Sequence, residues 1–177
     1  VLETEHMAQS VPDTNDVFFV PAFAGLATPL WDQYARGLFI GLTASVKREH
    51  LVRAVLESIA YQVANCYRIM KQEYGKKSHA MRVDGGMVEN KFLMQFQADM
   101  LGLPVEVPQE KETAAFGAAC LAGYTIGALP SLESVKKFVK IKRVYEPKMS
   151  VDEREERLSR WLEAADRSRN WARVNKC

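Results

Sequence analysis

The longest stretch of helical periodicity lies between about Lys47 and Tyr74, where no glycine or proline interrupts the chain. Apolar residues recur there at intervals of three and four, which predicts one long amphipathic helix. The residues on this apolar face are Leu51, Val55, Leu56, Ile59, Val63, Cys66, Ile69 and Met70. Ser45 lies just upstream as a candidate N-cap, and Gly75 stands where a left-handed C-cap is needed.

Short apolar runs on both sides of this helix predict strands. Residues 17–20 and 37–42 precede the helix, and residues 81–84 follow it. A helix of this length between two strands indicates a crossover connection, so we expect the second and third strands to pair in parallel. Residues 105–107, bracketed by prolines, predict a fourth strand, and residues 143–147 are expected to be extended.

Further helical patterns follow the third strand. Residues 88–101 carry one apolar face that starts directly after a pair of glycines. Residues 112–123 are rich in alanine and glycine, with Thr113 as a candidate cap, and we interpret these small residues as tight core packing. Residues 131–140 predict another short helix. Because strands and helices alternate, the sequence predicts a layered α/β domain.

The chain divides into three parts by composition. Residues 1–16 are polar and are interpreted as a lead-in segment with a turn, residues 17–147 form the body, and residues 148–177 contain a charged helix that packs on the same domain. This last helix carries an apolar face for the core, and its charged residues form a solvated face. The face consists of Leu158, Trp161, Leu162 and Ala165.

An irregular loop follows the first strand and contains two prolines and a glycine within residues 21–32. Because it contains Phe23 and Trp31, this loop is more apolar than a flexible surface loop normally is. The sequence leaves two interpretations open, a structured loop that packs over the core or a contact between subunits.

Composition narrows the functional classes. The chain has 177 residues, which suits one domain, and a net charge of +2, which is too small to indicate attraction to nucleic acid or a membrane. No apolar run is long enough to span a bilayer, and the first residue is Val1, so we interpret the chain as part of something longer. The three histidines, His6, His50 and His79, show no metal-ligand spacing.

Three cysteines, Cys66, Cys120 and Cys177, are widely spaced and odd in number. Free thiols in a reducing cytoplasm are therefore expected, and a metal site is not.

Asp84, Gly85 and Gly86 are the strongest candidate for a binding site. Glycine lacks a Cβ, so a strand that turns into a helix through two glycines can let a ligand lie flat against the backbone. Ligands in open α/β sheets also collect at the carboxyl ends of strands. Taken alone, however, Asp-Gly-Gly favours a tight turn without a ligand, because the chain has neither a phosphate-binding P-loop nor a G-x-G-x-x-G pattern.

Several segments of the chain resemble a known family, the FGGY carbohydrate kinases. Residues 37–42 with 50–51 and 54–57 are similar to the second signature of that family. The other segments are similar to the branch that phosphorylates glycerol. They are 20–26 with Pro29, 31–32 and 35–37, then Arg82-Val83-Asp84-Gly85-Gly86 with 90–99, the helix 113–119, and the tryptophan-containing end of the chain. The likeness runs from about Val17 to the end.

The resemblance implies a fold of two actin-like, ribonuclease-H-like domains with ATP in the cleft between them. This chain is similar to the later part of the second domain, its nucleotide-binding half. The resemblance implies that Gly86 and Asn90 lie beside the adenosine of ATP, while Asp84 is expected to orient the turn by accepting backbone N–H groups. The catalytic aspartate, the polyol-binding residues and the phosphate-binding loops of the family precede this chain. We therefore assign no catalytic residue and no metal ligand here.

The implied activity of the intact protein is transfer of the γ-phosphate of ATP to glycerol, which gives glycerol 3-phosphate, with Mg²⁺ as cofactor. The resemblance also implies a cytoplasmic homo-oligomer that binds neither nucleic acid nor membrane, and an isolated chain without activity. Two alternatives remain open. One is a related kinase acting on xylulose, ribulose or gluconate, and the other is a non-catalytic module that binds nucleotide or oligomerises.

Overall fold

The computed structural model describes residues 2–75, 78–110 and 112–173, which form helices around two small sheets. The helices are α1 Leu2–Gln9, α2 Arg48–Tyr74, α3 Lys91–Leu101, α4 Thr113–Thr125 and α5 Val151–Arg167. The strands are β1 Phe18–Val20, β2 Leu38–Ile40, β3 Met81–Arg82, β4 Val105–Pro108 and β5 Ile141–Tyr145. Two 3₁₀ segments, Gly86–Glu89 and Leu132–Lys137, precede α3 and β5 respectively.

The predicted parallel pairing between the second and third strands is wrong. β2 pairs antiparallel with β1, because the loop between them turns the chain back on itself. α2 then carries the chain to a separate sheet of order β3-β4-β5. There β3 pairs in parallel with β4, and α3 forms the crossover between them, while β4 pairs antiparallel with β5.

The main core lies where α2, α3 and α5 meet β1. Trp161 of α5 is buried, stacks on Tyr61 with ring centroids 6.0 Å apart, and donates its indole N–H to the carbonyl oxygen of Phe19 at 2.9 Å. Tyr61 in turn meets Phe96 of α3 edge to face at 5.5 Å. The predicted apolar face of the last helix is thus confirmed, since Leu158 and its neighbours on this face are also packed into the core.

A buried ion pair joins the start of the chain to this core. The Glu57 carboxylate is buried and accepts hydrogen bonds from Arg53 Nε at 2.8 Å and from the Tyr61 hydroxyl at 3.2 Å. The Arg53 guanidinium also donates to the carbonyl oxygen of Val11 and lies over the Phe92 ring, 5.0 Å from its centroid. Arg53 therefore holds the N-terminal segment against α2 and α3.

The lead-in segment at residues 1–16 contains a helix that the sequence pattern did not predict. α1 packs against α2 and α3, and its Ala8 is fully buried. The Glu5 carboxylate accepts the backbone N–H of Lys91 at 2.9 Å, so it satisfies one of the free donors at the start of α3. A helix of eight residues is marginal alone, and these tertiary contacts explain why it forms.

The predicted C-cap of α2 is confirmed, and the predicted N-cap is wrong. Ser45 is not the N-cap, because Lys47 takes that position and its N–H donates to the imidazole Nδ1 of His50 at 3.0 Å. The Ser45 hydroxyl instead accepts from the Asn15 side chain. Gly75 is the C-cap as predicted, with φ of 63°.

The predicted core packing of the small residues at 112–123 is wrong within the part of the chain that the structure describes. In α4 Cys120 is the one buried residue, and Leu121 and Tyr124 are exposed. The next helix is also shorter than the predicted 131–140. It is a 3₁₀ segment, Leu132–Lys137, whose cap Ser131 accepts the N–H of Ser134.

Candidate functional site

The candidate site is the corner where β3 ends, which we define as residues Asp84, Gly85 and Gly86. Gly85 has φ of +88°, a backbone conformation that L side chains rarely adopt, so glycine is needed there. The 3₁₀ segment Gly86–Glu89 follows, and α3 begins only at Lys91. The sequence pattern predicted that the helix starts directly after the glycine pair, and this prediction is wrong.

Gly86 forms an open wall of this corner. A Cβ built on Gly86 would meet no heavy atom within 4 Å, and the residue is exposed. Its φ is not in the left-handed region, so the backbone itself does not demand glycine here. The bare backbone at Gly86 thus leaves space for a flat group to lie against it.

Asn90 has a different environment from the one that its predicted role implies. Its side chain is 0% exposed, and its Oδ1 accepts the Leu93 N–H at 2.9 Å, which caps α3. Its Nδ2 is buried with no hydrogen-bond partner among the described residues. A buried amide without a partner is costly, so this nitrogen is a donor in need of an acceptor.

Asp84 connects β3 to α4. Its carboxylate accepts a hydrogen bond from the Thr113 hydroxyl at the start of that helix. This hydrogen bond stands in place of the expected ones from the backbone N–H groups of the turn. Thr113 is not the N-cap of α4, because Glu112 takes that position. No local sequence pattern indicates the contact between Asp84 and Thr113, because the two residues are 29 positions apart. The one available signal was that both follow predicted strands, whose ends are expected to lie close together.

A groove of about 340 Å³ lies beside the corner, between β3, α4 and the second 3₁₀ segment. Its lining is mostly apolar and includes charged residues of both signs. The apolar wall consists of Val83, Pro108, Phe116, Val135, Phe138 and Val139. The charged residues are Arg82, Asp84, Glu110 and Lys140, so the groove has no strong net charge.

Asp32, the other carboxylate that attracts notice in the sequence, is a structural clamp. It is buried and accepts backbone N–H groups from Tyr34 at 2.8 Å, Ala35 at 3.2 Å and Asn170 at 2.8 Å. The hydrogen bond from Asn170 above all lowers the pKa of Asp32 from its ordinary value, although burial acts in the opposite direction. Tyr34 and Ala35 follow β1, and Asn170 follows α5. Asp32 therefore joins the loop after β1 to the segment after α5.

The loop at residues 21–32 does not bury its aromatic side chains. Phe23 is 78% exposed and Trp31 is 75% exposed. The interpretation that these two rings pack over the core is therefore wrong. The alternative, a contact between subunits, stays a prediction.

Residues suited to metal binding do not cluster in the described parts of the chain, where no group of three or more histidines, cysteines, aspartates or glutamates could hold an ion. Cys66 and Cys120 are free, and Cys66 is only half-buried, while Cys177 lies outside the described residues. None of the described helices is long and apolar enough to cross a membrane.

The comparison with known sequences identifies relatives over most of the chain. Residues 2–126 match the C-terminal domain of the FGGY family of carbohydrate kinases. Glycerol kinase 2 of Thermotoga maritima is 53% identical over 169 residues, which are 96% of this chain and 34% of the relative. Glycerol kinase of Pseudomonas savastanoi is 50% identical over 170 residues, with the same coverage of 96% and 34%. The chain thus spans about a third of the length of these relatives.

Solved structures agree with this assignment. The crystal structure of Plasmodium falciparum glycerol kinase with ADP superposes with a TM-score of 0.86 at 37% identity, over 94% of this chain and 33% of that one. Xylulose kinase from Lactobacillus acidophilus, at 24% identity and a TM-score of 0.75 over 94% of this chain and 33% of that one, shares the fold. The predicted actin-like α/β fold is therefore confirmed, and the chain, whose residues 2–126 match the C-terminal domain, belongs to the FGGY family of carbohydrate kinases.

Proposed function

We propose that this chain is the C-terminal, nucleotide-binding part of a kinase that transfers the γ-phosphate of ATP to glycerol and so produces glycerol 3-phosphate. Relatives named glycerol kinase are about half identical to the chain, at 53%, 51% and 50%. The gluconate and xylulose kinases from Lactobacillus acidophilus are each 24% identical. This difference favours glycerol over xylulose or gluconate as the phosphate acceptor, and ribulose is tested below.

The open corner at Gly86 is the observation that carries the proposal. In our proposal the adenosine of ATP lies against the bare backbone of Gly86, where a Cβ would meet no heavy atom of the described residues within 4 Å. Asn90 lies at the start of the following helix, where its Oδ1 caps α3 and its Nδ2 is a buried donor without a partner among the described residues. Gly86 and Asn90 are therefore the two nucleotide-binding residues that we assign.

Phosphoryl transfer depends mainly on positioning of the reactants and on stabilisation of negative charge. This chain would position the nucleoside end of ATP through the corner. We assign no metal ligand and no catalytic base to this chain, because the resemblance to the family implies that these groups lie upstream of it. We assign both to the part of the intact protein that precedes the matched region, and we expect the isolated chain to show no kinase activity.

Titration of ADP into the intact protein tests the adenosine site directly. Gly86→Val places a branched side chain in the open space, so we expect ADP affinity to fall at least about tenfold, equivalent to about 1.4 kcal/mol. Gly37→Ala is the matched control, because a Cβ there would make only ordinary contacts at 3.6–3.8 Å. Unchanged affinity in Gly86→Val, measured by calorimetry on a folded protein, overturns the adenosine assignment.

An assay of ADP release tests the acceptor. We expect turnover of glycerol by the intact protein to exceed turnover of xylulose, ribulose and gluconate, and turnover of glycerol by the 177-residue chain to be absent. Preference for a sugar over glycerol would identify the protein as a different kinase of the family. Glycerol turnover by the isolated chain would show that the catalytic groups lie within it.

We also propose that the intact kinase is a homo-oligomer that works in the cytoplasm. The exposed aromatic rings of Phe23 and Trp31 favour a contact between subunits, because large exposed apolar side chains in one loop are typical of interaction surfaces. The free thiols of Cys66 and Cys120 fit a reducing compartment. Sedimentation of the intact protein tests the subunit contact, since Trp31→Ser should shift the oligomer toward monomer, and an unchanged distribution would place the contact elsewhere.

A further inference from the structure

The corner between β3 and the first 3₁₀ segment is held by few backbone hydrogen bonds. Before the corner, the Val83 N–H donates to a carbonyl oxygen of β4 at 3.1 Å. After it begins, the Gly85 carbonyl oxygen accepts the Val88 N–H at 3.2 Å. Among the described residues, the N–H groups of Asp84 and Gly85 donate to no backbone carbonyl. The placement of this short stretch therefore depends on side-chain contacts.

Two successive glycines give the same stretch wide conformational freedom. Glycine populates positive and negative φ about equally, and Gly85 has φ of +88° in the structure. A binding wall that samples several conformations loses affinity, because ordering it when the ligand binds costs free energy. A contact that already holds one conformation in the free protein lowers that cost. An anchor beside the glycines would thus raise nucleotide affinity without touching the nucleotide.

The Asp84 side chain supplies such an anchor. Its carboxylate accepts the Thr113 hydroxyl, although the two residues are 29 positions apart in the chain. The bond joins the residue that precedes the glycines to the first turn of α4, a helix of thirteen residues. Because the acceptor is a carboxylate, this hydrogen bond is charge-assisted and stronger than one between neutral groups.

Helix capping does not explain the Thr113 hydroxyl. Glu112 is the N-cap of α4, and Thr113 is the first residue inside the helix. Thr125 near the other end of α4 shows the ordinary use of such a hydroxyl, since it donates to the Leu121 carbonyl of its own helix at 2.9 Å. The Thr113 hydroxyl instead leaves its helix and reaches Asp84.

We propose that Thr113 is a positioning residue for the nucleotide site and that it acts through Asp84 on the backbone of Gly85 and Gly86. The hydroxyl holds the carboxylate, and the carboxylate fixes the direction in which the chain leaves β3. Thr113 itself contacts neither adenosine nor phosphate. The inference rests on the proposed function, because it takes the corner to be the wall of the adenosine site.

Titration of ADP into the intact protein tests the role of the hydroxyl. Thr113→Val keeps the branched shape and the methyl group but removes the donor, so we expect ADP affinity to fall about three- to tenfold. Thr113→Ser keeps the donor and should bind ADP almost as wild type does. Thr125→Val is the matched control on the same helix, and its affinity should not change.

Two results would overturn the inference and leave the proposed function intact. One is equal ADP affinity of wild type and Thr113→Val. The other is an equal loss in Thr113→Ser and Thr113→Val, which would assign the effect to packing of the side chain. A wild-type protein that binds no ADP would overturn the proposed function and this inference with it.

A double-mutant cycle shows whether the effect passes through Asp84. Asp84→Ala removes the same bond from its other side and should lower ADP affinity at least as much as Thr113→Val. Adding Thr113→Val to Asp84→Ala should cause no further loss, because the hydroxyl has no acceptor. A further loss of full size would overturn the route through Asp84.

Turnover by the intact protein separates positioning of the nucleotide from general damage. We expect Thr113→Val to raise the KM for ATP about three- to tenfold and to leave kcat and the KM for the acceptor nearly unchanged. Urea denaturation should show the same unfolding midpoint for wild type, Thr113→Val and Thr125→Val. A fall in kcat with an unchanged KM for ATP would overturn the inference.

Discussion

α4 and α5 show how little hydrophobic composition alone says about burial. α4 has no charged residue and is mostly exposed, whereas α5 is rich in Glu and Arg and inserts Trp161 into the core. The spacing of apolar residues explains the difference. α5 collects its apolar residues on one face that meets β1 and α2, while α4 has apolar residues on every side and no comparable surface against it in the described structure.

This contrast separates a region that is packed within the described structure from one that has little packed against it. The helices α1, α2, α3 and α5 bury a common core with β1, and they should keep their stability in the isolated chain. α4 has little packed against it in the described structure, so changes on its surface should cost the isolated chain little stability. The predictions below therefore compare substitutions inside the packed region with equivalent changes outside it.

The largest effect is expected for Trp161→Ala. The change removes a buried ring that stacks on Tyr61 and also leaves the Phe19 carbonyl without its indole donor. We expect the free energy of unfolding of the chain to fall by about 3–5 kcal/mol, as urea denaturation would measure. Leu121→Ala on α4 is the comparison, and it should cost less than about 0.5 kcal/mol in the isolated chain. A comparable loss in both variants would contradict the division into packed and uncovered regions.

The buried ion pair should give the next largest effect. Glu57→Gln keeps the shape of the side chain but leaves the charge of Arg53 without its buried partner. We expect a loss of about 2–3 kcal/mol in the free energy of unfolding. Glu163→Gln is the control, because Glu163 and its partners Arg160 and Arg167 are all exposed and such pairs contribute about 0–1 kcal/mol. A cost for Glu57→Gln no greater than that of the control would show that Arg53 is adequately held by its carbonyl contacts.

Much of the packed region could be predicted from sequence periodicity. The three-and-four spacing of apolar residues located α2 and the buried face of α5, and Gly75 ended α2 as expected. α1 escaped detection because eight polar-rich residues carry little pattern, and its contacts with α2 and α3 are supplied by distant parts of the chain.

The candidate site was predictable in location but not in detail. The glycine pair marks the corner, since Gly85 needs its positive φ and Gly86 leaves open space. The burial of Asn90 could not be read from the sequence, because it depends on how the 3₁₀ segment turns the chain into α3. Strand order was equally inaccessible, because apolar runs do not specify which strands share a sheet.

A moderate effect is expected at Asn90, which lies in the packed region and which we propose as a nucleotide-binding residue. Asn90→Ala removes the acceptor for the Leu93 N–H and should cost about 1 kcal/mol of stability in urea denaturation. Asn90→Asp keeps an acceptor for the cap but removes the amide donor, so it should retain more stability while ADP affinity of the intact protein falls. Equal ADP binding by wild type and the folded Asn90→Asp protein would show that Asn90 acts only as a helix cap.

The smallest effect is expected at Asp32, and it should appear only in acid. The pKa of Asp32 lies below its ordinary value of 3.8, chiefly because the Asn170 N–H donates to the carboxylate. The folded chain then binds this proton less readily than the unfolded chain does, so the stabilisation is complete above about pH 3.8 and is lost as the pH falls through the folded-state pKa.

Unfolding midpoints measured at pH 5 and pH 3 by circular dichroism would reveal this clamp as a pH-dependent difference between two variants. Wild type should lose more stability between these pH values than Asp32→Asn, because the variant has no carboxylate to protonate at this position. Asp32 joins the loop after β1 to the segment after α5, so the difference would report on the packed region and not on α4. If both proteins lost stability equally, the hydrogen bonds to Asp32 would persist in the unfolded chain or contribute nothing to the fold.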